Sequence, residues 1–554
     1  MTVQASQHDA TVQNSTDRRG RGLVGGLLAA AAVLGVLLPL ALSGWTGGLS
    51  LPHNDTWAFS RSAQIFAHTG EFHLFNWNDM ALVGAFVPLG PLASSIVVQQ
   101  VYVALLALLG LAAFFDLVRG VAGARRAAFG TVLAALWPGY GLMGTSLMTD
   151  IPAFTAVCVC LALGRRAYVR GSLPLLLWST LFGLWGITSR EQAAAAPAVI
   201  LGAALLNREL RERFGPRRLI AVTAALLVLA GLFELWRRGL AGGGAPPFTN
   251  VGTPSASLIG TSLLECWLTV ALPLSPGVFL AARVRQWTRW VQLVSLAVLC
   301  ALVGGVLAGH GFLGNYLEPS GAYPEASIGP HPLFVPAAAY DVLLALACVS
   351  GALLAGLVLS RVRRLPLELS LFGALTVLGT AFELVQGHLV YDRYLLPLTV
   401  TLVPLVLLDP LRCESPGMLL AARRTAAGFA AVVVAVAMAL LSANAFAFDA
   451  ANWHAAQNLV SAGKADPQHV DAGLDWTGYY SPNGMQDTKD ANTEQGVTGV
   501  DGYLGIDDPC YLVAAADQSV PGWTLVGTWK YHQYGVAGPV RKLRIYRTTA
   551  TTCR

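Results

Sequence analysis

The chain has 554 residues, of which 55% are hydrophobic and 12% are charged, and its mean hydropathy is +0.56. About a quarter of the residues in a soluble domain are charged, so the composition excludes a soluble protein. A membrane β-barrel would show short segments of alternating hydropathy, which the sequence lacks. The long apolar runs instead predict an all-α polytopic membrane protein. The net charge of +5 does not indicate nucleic-acid binding, because the basic residues follow the predicted membrane segments.

Thirteen apolar runs have lengths near that of a membrane-spanning helix, which needs about 20 residues. Most Lys and Arg residues lie in the loops on one side of these runs, and that side is expected to be cytoplasmic. The N-terminus is then cytoplasmic, and the odd number of spans places the C-terminal segment outside. The runs occupy residues 23–43, 92–115, 127–147, 151–165, 173–189, 193–206, 219–236, 257–280, 291–309, 336–360, 369–389, 395–410 and 425–447.

The composition divides the chain into three parts. Residues 1–20 are polar and are predicted to be disordered on the cytoplasmic side. Residues 21–447 form the predicted transmembrane domain. Residues 448–554 have the size of a small domain and show one helical pattern followed by strand-like stretches, so they predict an extracytoplasmic α/β domain. The many Ala, Gly, Leu and Arg residues with few Lys are typical of a bacterial protein, and a bacterial plasma membrane is the expected location.

Two of the eight cysteines, Cys510 and Cys553, lie in the predicted extracytoplasmic segment. Cysteines in an oxidising compartment commonly pair with each other. A disulfide between these two residues is therefore predicted. The other cysteines lie in apolar runs or in a cytoplasmic loop and are expected to stay reduced.

The first predicted outer loop begins with LPHNDTWAFSRSAQIFAHTGEF, residues 51–72. Aromatic residues are interleaved there with polar ones, which is typical of a helix lying in the membrane interface. Asp55 precedes this helix. It is either a helix N-cap, a role that Asn54 or Thr56 could also take, or a carboxylate held for chemistry at the membrane surface. The local sequence leaves both interpretations open.

A second carboxylate, Asp150 in SLMTDIPAF, lies between the third and fourth predicted spans. The loop there is almost absent, so Asp150 must lie at the membrane boundary, where carboxylates are costly and are usually functional or paired. The alternative is again a helix N-cap, with Pro152 in the first helical turn. Both interpretations remain open for Asp150 as well.

Two tight outer turns each place an arginine beside a carboxylate: GITSREQ contains Arg190 and Glu191, and GHLVYDRYLLPL contains Asp392 and Arg393. Arginine binds phosphate in a bidentate manner, so either turn could hold a lipid-linked phosphate. The alternative is a local ion pair of little energetic value. The chain has no nucleotide-phosphate loop, HExxH, CxxC or GxSxG motif, so nucleotide hydrolysis, zinc proteolysis and serine hydrolysis have no support.

In their order along the chain, these motifs resemble the GT-C superfamily of polytopic glycosyltransferases. Within it, they are similar to the group of protein mannosyltransferases and lipid A aminoarabinose transferases, which is glycosyltransferase family 39-like. The resemblance rests on NDTWAFSRSAQIFAHTGEF, LMTDIPAFTAVCVCLALGRRAY and YDRYLLPL, and on a soluble outer domain with GLDWTGYYSPNGM. It covers about residues 20–447 by layout. Many relatives carry an acidic pair in the first motif, whereas Asn54 precedes Asp55 here.

The resemblance implies transfer of a sugar from a polyprenyl-phosphate donor among the membrane lipids to an extracytoplasmic acceptor. Asp55 would be the general base on the acceptor hydroxyl, and Asp150 would orient the acceptor or the base. The donor phosphate would bind Arg190 and Arg393, with Arg61 as a weaker third cation. Further substrate contacts are expected from His53, Glu191, His388, Tyr391, Asp392 and Tyr394. No cofactor is implied and no metal-ligand set is evident, although two aspartates near one site leave a divalent metal open.

A transporter or flippase of lipid-linked or small polar substrates is the main alternative function. Such proteins are built from repeats with broken helices at mid-membrane, and no matching halves are evident in the sequence. A membrane-anchored scaffold is a third possibility, but it would not need Asp55, Asp150 and two arginine turns on one face. The sequence therefore favours the glycosyltransferase.

Overall fold

The computed structural model describes residues 20–53, 55–75, 83–240, 254–319, 334–388, 390–408, 417–481, 509–515, 522–535 and 538–548. Most of this part of the chain is helical, and its strands form one small sheet near the C-terminus. The sequence predicted a mostly helical chain that closes with a small α/β unit, and the structure confirms the fold class at that level.

The helices are numbered in chain order. They are α1 (Gly20–Thr46), α2 (Thr56–Thr69), α3 (Val83–Phe86), α4 (Ile96–Ala122), α5 (Ala124–Ala135), α6 (Tyr140–Met143), α7 (Asp150–Arg170), α8 (Leu173–Ser189), α9 (Ala195–Leu206), α10 (Arg208–Phe214), α11 (Pro216–Arg238), α12 (Ala256–Ala281), α13 (Arg289–Leu307), α14 (Ala337–Arg361), α15 (Leu367–Val385), α16 (Thr399–Leu407), α17 (Gly417–Ser461) and α18 (Leu474–Tyr480). The strands are β1 (Val470–Asp471), β2 (Tyr511–Ala514), β3 (Trp523–His532) and β4 (Val540–Thr548). Short 3₁₀ helices include Val87–Ser94, Glu191–Ala194 and Asp392–Leu398.

Nine helices in the described part of the chain are long and apolar enough to cross a membrane, or ten if the bent pair Glu191–Leu206 and Arg208–Phe214 forms one span. Helix α8, with 17 residues, is apolar but shorter than these. Each of the thirteen runs predicted from the sequence overlaps a helix in the described part of the chain. Thirteen continuous spans, however, are not confirmed.

Two of the predicted spans are broken by prolines. The predicted span 127–147 is interrupted between α5 and α6, where Pro138 lies, and the predicted span 395–410 begins as a 3₁₀ helix that contains Pro397. Proline lacks an amide hydrogen and restricts the conformation of the residue before it, so it interrupts helical hydrogen bonding. Both breaks lie at the end of the helix bundle where the candidate site is found.

The central helix of the bundle is α7, because its most apolar window is 78% buried inside the protein. It packs against α4 and α8 and begins with Asp150. By contrast, only 11% of the corresponding windows of α11 and α13 are buried, and side chains such as Leu229 and Leu293 are exposed on them. Apolar helix surfaces that face away from the protein suit contact with lipid.

A single helix, α17, joins the bundle to the C-terminal unit. It has 45 residues and is therefore about 67 Å long, roughly twice the thickness of a hydrocarbon core. The composition predicts a domain boundary at residue 447, but the helix continues to Ser461. Its last turns contribute Phe448, Trp453 and Leu459 to the core of the C-terminal unit. The two parts are therefore connected by a continuous helix.

The C-terminal unit contains β1 to β4, α18 and the end of α17. Its sheet has the strand order β1-β2-β4-β3, with β1 parallel to β2 and the other neighbours antiparallel. The sequence predicted strands in CYLVAAAD, WTLVGTWKYHQYG and VRKLRIYRT, and β2, β3 and β4 lie within these three stretches. The core of this unit includes Trp476 and also Leu51, which comes from the loop after α1. The C-terminal unit is therefore packed against the segment that leads to Asp55.

The predicted disulfide involves one residue that the structure describes. Cys510 is disulfide-bonded, but Cys553 lies outside the described residues, so the pairing itself stays a prediction. We expect Cys510 to resist alkylation until the protein is reduced, because a disulfide has no nucleophilic thiolate. Peptide mapping without reductant should recover Cys510 linked to Cys553. A peptide linking Cys510 to Cys413 would instead reject the predicted pairing.

The stability of the C-terminal unit is expected to depend on pH through Asp475. This residue of α18 is 9% exposed, and its Oδ2 atom has no hydrogen-bond partner in the described structure. Burial raises the pKa of Asp475 well above its usual range, and the carboxylate of Asp449 raises it further. The folded state therefore keeps a proton that the unfolded state releases above about pH 4. The free energy of unfolding consequently falls as the pH rises from there through the raised pKa.

We expect the Asp475→Asn variant to remove this loss of stability. Asparagine does not ionise, and it has nearly the same size and shape as aspartic acid. The Tm at neutral pH should rise by a few degrees, on the order of the shift produced by about 1 kcal/mol, while the Tm near pH 4 should stay the same. Thermal unfolding across this pH range measures the effect. An equal shift at both pH values would mean that packing, not ionisation, is responsible.

Candidate active site

Asp55 lies immediately before α2, at the position of a capping residue. Within the described chain its side chain makes no capping hydrogen bond. Instead, its Oδ2 atom accepts a hydrogen bond of 2.8 Å from Nη2 of Arg393. The Arg393 side chain is 7% exposed and that of Asp55 is 14% exposed. Asp55 is therefore the partner of a distant arginine rather than an N-cap, and its neighbour Asn54 lies outside the described residues.

Asp150, at the start of α7, forms a second ion pair of the same kind. Its Oδ1 atom accepts a hydrogen bond of 2.7 Å from Nη1 of Arg190, and Oγ1 of Thr149 accepts from the same nitrogen at 3.2 Å. Arg190 follows α8 in an extended conformation, which turns its guanidinium towards α7. Among the described residues neither arginine is bridged to the carboxylate beside it in sequence. Both ion pairs are therefore tertiary contacts, and the local-pair interpretation does not apply.

Asp150 and both arginines line a small pocket, and Asp55 is joined to it through its ion pair with Arg393. The Oδ2 atom of Asp150 and the Nε and Nη1 atoms of Arg393 are buried without hydrogen-bond partners among the described residues. Burial of an unpaired polar group costs free energy, so these atoms mark a place where a polar ligand would be stabilised. The pocket is lined by Asp150, Ala153, Phe154, Val157, Arg190, Gln192, Ala193, Arg393 and Pro397.

Tyr391 and Tyr394 lie against the two arginines. The guanidinium carbon of Arg190 lies 4.4 Å from the ring centre of Tyr394. That of Arg393 lies 5.4 Å from the ring centres of both tyrosines, whose rings meet edge to face at 5.5 Å. Cation–π contacts of this type contribute about 0.5–2 kcal/mol each, and they hold both guanidinium groups against the ring of Tyr394.

Asp392 points into the protein and anchors a loop. It is fully buried, and its Oδ2 atom accepts hydrogen bonds of 2.8 Å from the backbone nitrogens of Tyr316 and Leu317. The indole nitrogen of Trp137 donates to its carbonyl oxygen at 3.2 Å. Because these bonds hold the loop after α13 against the site, the position of Asp392 favours a structural role over the predicted contact with substrate.

Tyr316 is a residue of the site that no sequence pattern predicts. It is 3% exposed, and its hydroxyl lies beside Arg393. Its ring covers Gly139, which has a φ of +73° and where a Cβ atom would lie 2.4 Å from the ring. Only glycine accommodates both the left-handed conformation and this close approach. No local pattern indicated Tyr316, because it reaches the site through the amide bonds that Asp392 accepts.

Arg61 and His53 contact the C-terminal unit rather than the pocket. Nη1 of Arg61 donates to backbone carbonyl oxygens at the end of α18, so the predicted role in binding phosphate is not supported by its position. Nδ1 of His53 lies 2.8 Å from Oδ2 of Asp449 on α17. Both side chains were expected to contact substrate, and both instead join the segment around Asp55 to another part of the chain.

Two further predicted contacts, Glu191 and His388, lie at the margin of the site. Glu191 begins a 3₁₀ helix and is exposed, while its neighbour Gln192 lines the pocket. Nδ1 of His388 lies 2.5 Å from Oε2 of Glu383. Neither residue lines the pocket.

The site as a whole combines two arginines and two aspartates. Such a set can bind an anion through the arginines and accept a proton at a carboxylate. In the parts of the chain that the structure describes, no group of three or more His, Cys, Asp or Glu side chains is placed to hold a metal ion. No protein-family model matches the chain, and no curated protein matches its sequence.

Proposed function

We propose that the protein is a membrane glycosyltransferase of the GT-C type, which moves a sugar from a polyprenyl-phosphate donor to an extracytoplasmic acceptor. One observation carries the proposal: Asp55, Asp150, Arg190 and Arg393 come from four separate segments and form two largely buried ion pairs, and Asp150 and both arginines line one pocket. Buried ion pairs contribute little to the free energy of unfolding, because the cost of removing the charges from water can exceed their attraction. A site that binds a phosphate and moves a proton needs these groups together.

Arg393 is the proposed main ligand of the donor phosphate. Its Nε and Nη1 atoms have no hydrogen-bond partner within the described structure, and Arg190, which contacts the same Tyr394 ring, supplies a second cation. An incoming phosphate would also compete with Asp55 for Nη2 of Arg393, because charge-assisted hydrogen bonds to phosphate are strong. Donor binding thereby releases Asp55 from its ion pair.

Asp55 then acts as the general base. It takes the proton of the acceptor hydroxyl, whose oxygen attacks the anomeric carbon of the sugar. The bond between that carbon and the phosphate oxygen breaks, and the polyprenyl phosphate leaves with the bonding electrons. Attack opposite the leaving group inverts the anomeric configuration. The arginines stabilise the charge on the leaving phosphate, and the unpaired Oδ2 atom of Asp150 orients the acceptor.

The helical layout supports a place in a bacterial plasma membrane. The exposed apolar faces of α11 and α13 suit lipid contact, and a polyprenyl chain would reach the pocket from the bilayer. The distribution of Lys and Arg supports a cytoplasmic N-terminus and an extracytoplasmic site and C-terminal unit. In this topology the shorter helices and the proline-broken segments complete the thirteen crossings.

The test is turnover of a panel of polyprenyl-phosphate sugars by the purified protein in lipid nanodiscs, with an extract of the bacterial envelope as the source of acceptor. Mass spectrometry should detect released polyprenyl phosphate for at least one donor with the wild-type protein and not with Asp55→Asn. A transporter or flippase would move the intact donor across the bilayer of vesicles. Movement without release of polyprenyl phosphate would reject the glycosyltransferase in favour of that function.

A further inference from the structure

We infer that the C-terminal unit positions Asp55, by holding the chain on both sides of this residue through Arg61, Tyr479 and the pair of His53 with Asp449. The inference rests on the proposed function, in which Asp55 is the base. It assigns a task to a unit that contributes none of the residues lining the described pocket. It also gives Arg61 and His53 positioning roles in place of direct contact with substrate.

The first contact joins α2 to the end of α18. Nη1 of Arg61 donates to the carbonyl oxygens of Gly478 and Ser481 at 2.9 and 2.8 Å. The last carbonyls of a helix lack partners within the helix and carry partial negative charge, so they attract a cation. The guanidinium carbon also lies 4.2 Å from the ring centre of Phe75. These contacts fix the direction of the Arg61 side chain towards α18.

The second contact is the close approach of α18 to Trp57, which lies one turn before Arg61. A Cβ atom at Gly478 would lie 2.3 Å from the Trp57 ring, so a larger residue at Gly478 would force the two helices apart. The hydroxyl of Tyr479 donates to Oε1 of Gln64 at 2.8 Å. The helix that follows Asp55 is therefore held along its buried side by α18.

The third contact holds the chain before Asp55. Nδ1 of His53 lies 2.8 Å from Oδ2 of Asp449, and the two side chains are 2% and 5% exposed. The ring of Phe446, also on α17, packs edge-on against His53 at 5.1 Å. Residues two positions before and two positions after Asp55 are thus fixed by α17 and α18. Together these contacts present the Asp55 carboxylate to Arg393.

The kinetic test compares Arg61→Gln with the conservative variant Arg61→Lys. A misplacement of about 1 Å at a reacting group can cost about 100-fold in rate, so Arg61→Gln should lower kcat by about 10- to 100-fold and leave the donor KM within about twofold. Lysine can donate to the same carbonyls and should restore most of the rate. Lys530→Gln, an exposed charge change on β3, is the control and should match the wild type.

Binding of a polyprenyl phosphate provides a second readout. Arg61→Gln should bind it as tightly as the wild type, because a positioning residue does not touch the phosphate. A higher Kd and a higher donor KM would overturn the inference and return Arg61 to the phosphate site. An unchanged kcat in Arg61→Gln, while Asp55→Asn is inactive, would overturn the inference and leave the proposed function intact.

The rate of cysteine alkylation at position 55 tests the inference without turnover, and therefore also if the protein uses no donor and the proposed function fails. The probe is the Asp55→Cys variant. It also carries Cys300→Ser and Cys413→Ser, because Cys300 is exposed and Cys413 is not a predicted disulfide partner, so both would otherwise react. The rate of alkylation should rise at least about threefold when Arg61→Gln is added, and should not change when Lys530→Gln is added. Equal rates in both would show that the C-terminal unit does not hold this segment.

Discussion

The Asp55→Asn variant is expected to lose transfer activity by about 100- to 10,000-fold, which is the usual contribution of a general base. Asparagine has the same shape and can accept the hydrogen bond from Arg393, but it cannot take up the acceptor proton. The side chain of Asp55 is 14% exposed, so water can reach it and the variant should fold and insert normally. Initial rates of polyprenyl phosphate release at saturating donor measure the loss.

The matched control is Asp150→Asn, which removes the carboxylate that itself lines the pocket. Since Asp150 is proposed to orient the acceptor, this variant should raise the acceptor KM and lower kcat less than Asp55→Asn does. Size-exclusion profiles and Tm values of both variants check that they are folded. Wild-type turnover in Asp55→Asn together with an inactive Asp150→Asn would exchange the two roles and remove Asp55 as the base.

The long helices were predictable from the sequence because they depend on the mean hydropathy of many residues. Runs such as α4 and α14 are apolar over more than 20 residues, and no single residue decides their state. The break near Pro138 depends on one residue, and an average over an apolar window hides it. The same holds for the 3₁₀ helix that carries Arg393, where the dipeptide Leu396–Pro397 favours departure from the α-helix.

The charged residues of the site were also detectable, because a charge at a membrane boundary is costly wherever it points. Their partners were not detectable. Arg393 adjoins Asp392 in sequence but pairs with Asp55, which is 338 positions away, while Asp392 turns towards the backbone at residues 316 and 317. Side-chain direction follows from the packing of the elements. For the same reason Arg61 carried the expected charge and yet contacts the C-terminal unit.

The Arg393→Ala variant is expected to weaken donor binding. A hydrogen bond to a charged group is worth about 1.5–3 kcal/mol, so loss of the proposed phosphate ligand should raise the donor KM by roughly 10- to 150-fold. The acceptor KM should change little, because the acceptor is proposed to contact Asp55 and Asp150. Arg393→Lys keeps the charge but loses the planar fork of donors, and an intermediate donor KM is expected. An unchanged donor KM in Arg393→Ala would count against the phosphate site.

The Kd for a polyprenyl phosphate that carries no sugar distinguishes a residue that binds the phosphate from one that only stabilises the structure. The two cases predict changes of the Kd in different directions. In the structure Asp55 occupies Nη2 of Arg393, so an incoming phosphate has to displace a carboxylate. Asp55→Asn removes that charged competitor and should bind the phosphate as tightly as the wild type or more tightly, whereas Arg393→Ala should bind it more weakly. If both variants lost affinity to the same extent, the pocket would depend on the ion pair as a structural unit, and Arg393 would not be the phosphate ligand.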